Sequence, residues 1–100
     1  MKKEFKLIYM RSASLDWLRI EHFIKNECKA PLTALRYMSG LEGEISKLRT
    51  MADLRPVDPH LSEVMGVPGR RVNYKKLAIL YAIDGDTVYI HHIVPQSLII

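Results

Sequence analysis

The sequence predicts an α+β fold of order β-α-α-β-β-β, with an N-terminal helical hairpin packed on a roughly four-stranded, mainly antiparallel sheet. Three observations predict it. Ala34, Met38, Leu41, Ile45, Leu48 and Ala52 recur at alternating steps of four and three, the spacing of one helix face. A second stripe, Trp17, Ile20, Ile24 and Cys28, precedes it and is joined to it only through Lys29-Ala30-Pro31. Near the other end, two apolar runs flank Asp84-Gly85-Asp86, a tight-turn signature in which glycine supplies positive φ without steric cost.

Taken in order, Glu4 to Met10 (EFKLIYM) has the apolar and aromatic content of a strand. Arg11-Ser12-Ala13-Ser14 breaks it, and Ser12 or Ser14 can cap a helix from about Leu15 to Glu27, with Asp16 in its first turn. Pro31 suits the first turn of the next helix, where its missing N–H loses nothing. Gly40 and Gly43 each cost that helix about 1 kcal/mol and suit close approach by another element. From Leu54 to Gly69 three prolines and two glycines leave no periodicity, so this reads as a loop with a short turn around His60 to Met65. Arg70 to Asn73 reads as a strand. Leu77 to Ile83 (LAILYAI) is apolar on both faces, as a central strand must be. Thr87 to Val94 (TVYIHHIV) is its return strand, and Pro95 ends the pairing because it cannot donate to a ladder. The apolar tail Leu98-Ile99-Ile100 either packs back on the domain or serves a partner.

One hundred residues with 48 % apolar and 26 % charged content make a single domain, 1–100, and exclude disorder. No apolar run approaches the roughly 18 residues a membrane span needs, and no apolar segment follows Lys2 and Lys3 as in a secretion signal. A lone cysteine, Cys28, fits the reducing cytoplasm. The net charge of +4 permits an acidic or nucleic-acid partner without demanding one. Its distribution says more: Arg70, Arg71, Lys75 and Lys76 fall within seven positions that hold no acid. His22, His60, His91 and His92 lack metal-site spacing, and there is neither a phosphate-binding glycine loop nor a serine elbow. No cofactor, metal or small-molecule substrate is expected.

The start FKLIYMRSASLDWLRIEHFIKN, a second helix containing LEGEISKL, and the closing YKKLAILYAIDGDTVYIHHIV together resemble the RelE/ParE toxins of bacterial type II toxin–antitoxin modules. The likeness covers nearly the whole chain except Leu54 to Gly69, and lies in the joint order, spacing and length of the pieces. It implies a cognate antitoxin, growth arrest, a role such as plasmid stabilisation, and a target that is either the ribosome with its mRNA or DNA gyrase. In the ribosome-dependent branch, sheet cations hold phosphates while a tyrosine or histidine moves a proton, because phosphoryl transfer needs positioning and charge stabilisation more than a nucleophile. The matching candidates are His92, Arg71 and Tyr81 for catalysis, and Arg70, Arg71, Lys75 and Lys76 for RNA phosphate or a protein target. Departures are plain. Ala78 stands where the family commonly has an arginine, and Pro95-Gln96-Ser97-Leu98 replaces a basic or histidine-containing run. Strand alternation also sends His91 and His92 to opposite faces. These departures tilt the reading toward non-catalytic inhibition of a protein target such as gyrase. A ribosome-dependent mRNA endonuclease and a non-toxic fold relative that only binds an antitoxin stay as alternatives. In each case the antitoxin is expected to be short, with an acidic amphipathic segment lying over the sheet or the hairpin.

Overall fold

The computed structural model describes residues 4–99, with Cys28 by its backbone alone. The expectations for the Cys28 thiol, for Lys2 and Lys3 and for Ile100 therefore lie outside the described residues.

Strand β1 (Lys6–Tyr9) leads through Met10 alone into helix α1 (Arg11–Cys28). The helix thus begins four residues before the expected Leu15. Its N-cap is Met10, with no side-chain cap, so neither Ser12 nor Ser14 caps it and Asp16 lies beyond its first turn. Those polar side chains have other partners, described below. Lys29, in the left-handed region at φ 48°, closes α1, and Pro31 opens α2 (Pro31–Ser46) at its first turn. A break at Lys47 separates α2 from the short α3 (Leu48–Met51) and a 3₁₀ turn at Ala52–Leu54. The predicted seam runs unbroken through all three: Ala34, Met38, Leu41, Ile45, Leu48 and Ala52 are all buried.

The segment expected to be a loop contains a helix, α4 (Pro59–Met65). Asp58 caps it by accepting from the backbone N–H groups of His60 and Leu61, at 2.9 and 3.2 Å, and Gly66 ends it at φ 76°. Proline at its first position and glycine just past its last are the residues such a helix prefers. What looked like breakers are its two ends. Asp58 N–H also donates to Gly69 O, and Gly69 N–H to Ser62 Oγ, which closes the segment on itself.

Strands β2 (Arg70–Tyr74), β3 (Leu77–Asp84) and β4 (Thr87–Pro95) form an antiparallel meander, β2 running one residue further than expected. Strand β1 adds to β4 in parallel, Lys6 against Thr87, giving the order β1-β4-β3-β2. Both faces of the sheet are covered, as the unbroken apolar run of β3 requires. On one face Leu77, Ile79 and Tyr81 join Val88, Ile90 and Ile93 beneath the helical hairpin. On the other, Ala78 and Leu80 pack against Leu61 of α4, with Met65, Val94 and Ile99 around them. The tail therefore folds back: Ile99 packs on this second core while Leu98 stays exposed.

Candidate functional site

The expected site residues fall on different sides of the sheet. In β2, Val72 and Tyr74 belong to the hairpin-side core, so alternation puts Arg70 with them and Arg71 on the opposite face. Arg70 is spent: its guanidinium donates to the backbone oxygens of Asp53 and Arg55 at 3.2 and 2.6 Å, pinning the chain that leads toward α4. Tyr81 is fully buried and its hydroxyl donates to Ala52 O at 2.7 Å. Burial pushes its pKa up to about 12, while the Arg70 and Arg55 charges pull weakly the other way. A phenol in that state holds the 3₁₀ turn against the sheet rather than moving protons in solvent.

Lys75 sits in the β2–β3 turn in the left-handed region at φ 52°, with its Nζ 5.8 Å from the ring centroids of both Tyr37 and Tyr74. Its neighbour Lys76 is exposed. The turn is fastened to the tail, since Gln96 N–H donates to Lys76 O at 2.8 Å and Gln96 Nε2 to Lys75 O at 2.7 Å.

Arg71 and His92 are the two candidates that the fold does bring together. Both pair with Leu80, so they lie in one row across three strands on the α4 side of the sheet. The row arises from an irregularity. The register shifts between Leu80 and Tyr81, placing an extra residue in β4 between Ile90 and His92. Ile90 and Ile93 both reach the core, and His91 and His92 are both left outside it. The expectation that they point to opposite faces is corrected by this bulge, which resets the alternation on which it rested. The centre of the row is closed: Leu80 is buried under Leu61.

His92 turns instead toward the sheet edge, where Nδ1 lies 3.1 Å from Asp16 Oδ2. That oxygen also accepts the Ile93 N–H at 3.0 Å, and Ser12 Oγ donates to His91 O at 2.6 Å. Strand β1 pairs with β4 only as far as Ile90, and beyond that point Ser12 and Asp16 stand in for a missing strand. Sequence reasoning missed this role. The signal was there in phase: Ser12 and Asp16 precede Ile20 and Ile24 at steps of four, which places two polar side chains on the buried stripe. Burial, and then the neighbouring His92 charge, hold the His91 imidazole below the usual histidine range.

Next to this clamp lies an apolar cleft of about 510 Å³ between α1 and the far ends of β3 and β4. Ile20, Phe23, Ile24, Ile93, Pro95 and Leu98 line it, and Arg19 and Lys76 stand on its rim. Phe23 and Leu98 are 62 % and 72 % exposed, so the cleft presents apolar surface to its surroundings. Asp16, the one acid lining it, lies 3.7 Å from the Arg19 guanidinium, so these two charges offset each other and Lys76 is left as the uncompensated charge on the rim. Among the described residues no helix is long and apolar enough to cross a membrane.

No protein-family model matches the chain, and neither does any curated protein. Among solved structures it is similar to a chain of the chromosomal ParDE TA system from P. aeruginosa, with a TM-score of 0.75 and 20 % sequence identity. That likeness covers 93 % of this chain and 97 % of the other. The fold is thus the one expected from the resemblance to RelE/ParE toxins, helical hairpin, four-stranded sheet and order of elements included.

Proposed function

We propose that this chain is the toxin of a type II toxin–antitoxin module and that it arrests growth by non-catalytic inhibition of a protein target such as DNA gyrase. The fold shared with a ParDE chain supports the module. One observation carries the mechanism: α4 lies over the sheet face on which Arg71 and His92 share a row, with Leu61 on Leu80 between them. A nucleic-acid strand needs that space to reach both side chains. Arg70 and Tyr81, on the other face, are held by backbone oxygens.

The antitoxin's acidic amphipathic segment fits the apolar cleft beside α1. Its apolar side would cover Phe23 and Leu98, and its carboxylates would meet Lys76. Arg71 and Lys76, which have no ion-pair partner among the described residues, remain candidates for contacts to the target.

The ribonuclease reading draws on the pairing of His92 with the buried Asp16, an arrangement that can orient an imidazole for proton transfer. Inducing the chain alone in a bacterial host separates the two. We expect growth arrest with altered DNA supercoiling and intact message, and arrest that persists in His92→Gln. Cleaved message, abolished by that substitution, selects the nuclease. Unimpaired growth leaves only the antitoxin-binding relative.

A further inference from the structure

We infer that the outer face of the helical hairpin is a contact surface for a second copy of this chain, related by a two-fold axis. On the side of α1 and α2 turned away from the sheet, Leu15, Leu18, Leu32 and Leu35 are between 45 % and 68 % exposed. Single exposed leucines are ordinary, but here one pair stands toward each end of the hairpin, Leu15 with Leu18 at the open end and Leu32 with Leu35 beside the turn. The groove between the helices opens into two clefts, one of about 400 Å³ that reaches down to Tyr9 of β1 and one of about 550 Å³ beside the turn. Leu18 lines the first and Leu35 the second.

The charges along this groove identify the partner. Glu42 lines the first cleft, whereas Lys25 and Lys29 line the second together with Glu21. Glu21 and Lys25 neutralise each other at 3.9 Å. Glu42 at one end and Lys29 at the other have no ion-pair partner among the described residues. A groove that is acidic at one end and basic at the other is complementary to its own copy turned end for end. A two-fold axis through its middle sets Glu42 against Lys29 and Leu18 against Leu35, each twice, as an isologous interface requires. The face is large enough. Eighteen residues of α1 span about 27 Å, and two helices side by side are about 20 Å wide, so pairing covers on the order of 1,000 Å² in total.

This surface lies on the side of α1 away from the apolar cleft, so the inference goes beyond the proposed function and can fail without it. Sedimentation equilibrium on the purified full chain tests it, with circular dichroism to check that each variant folds. The wild type should dimerise. Glu42→Lys and Lys29→Glu should each weaken the dimer about tenfold or more by setting like charges face to face. The double variant should restore it, and Leu18→Glu should abolish it. A wild type that stays monomeric up to about 1 mM overturns the inference. So does a dimer that neither single swap weakens, or that the double swap fails to restore.

Discussion

Tyr81 shows how a residue's surroundings decide its role. A tyrosine on a strand suggests either packing or proton transfer, and the sequence holds nothing that chooses between them. The choice is made by the 3₁₀ turn at Ala52–Leu54, which brings the Ala52 carbonyl over the buried hydroxyl. Tyr81→Phe is expected to lose about 1–2 kcal/mol in urea unfolding, because it leaves that carbonyl without its donor. The pH dependence has a definite sign. The folded pKa of about 12 lies above the ordinary 10.0, so the neutral phenol is favoured in the fold. Its contribution is complete below about pH 10 and disappears as pH rises toward 12. Unfolding measured from pH 9 to 12 should fall steeply in the wild type and less steeply in Tyr81→Phe. Some slope will remain from Tyr9, Tyr37 and Tyr74, whose pKa values burial also raises. The pairs His92–Asp16 and Ser12–His91 were hidden in the sequence for another reason. They join residues more than seventy positions apart, and the bulge that aligns them comes from strand pairing rather than from any local pattern.

Among elements, legibility followed periodicity. The hairpin and the β3–β4 ribbon could be read because their patterns repeat over many residues, and every seam position from Ala34 to Ala52 proved buried. Helix α4 was masked because seven residues give too few turns for a period to emerge between prolines and glycines. Its signature was Asp58-Pro59 at the start and Gly66 at the end, capping chemistry rather than hydrophobic spacing. The two glycines of α2, alike in sequence, differ in the structure. Tyr74, whose hydroxyl donates to Tyr37 O, lies directly over Gly40, and a Cβ there would collide with it. Gly43 faces open space. Thermal unfolding should therefore move in opposite directions: Gly43→Ala is expected to stabilise by about 0.5–1 kcal/mol, and Gly40→Ala to destabilise despite the same gain in helix propensity.

For the molecule as a whole, the fold could be foreseen and the arrangement of its candidate site could not. Strand identity leaves open which neighbours pair, and pairing decides whether two cations share a face. Arg70 and Arg71, adjacent in sequence, stand on opposite sides of the sheet. The cleft beside α1 is likewise a product of three distant segments. If the antitoxin occupies it, Phe23→Glu should weaken the toxin–antitoxin complex by about 2 kcal/mol, roughly thirtyfold, in a binding titration. Rising salt should weaken the wild-type complex through Lys76.

The parallel pairing of Lys6–Tyr9 with Thr87–Ile90 has a bearing on how the protein comes into being. Strand β1 has no partner in the sheet until β4, far along the sequence, has been made. A nascent chain can coil its hairpin early, but nothing stands beneath it. Closure across so long a stretch is slow. A truncated translation product ending before Thr87 has no complete sheet, and its helical hairpin has no floor to pack on.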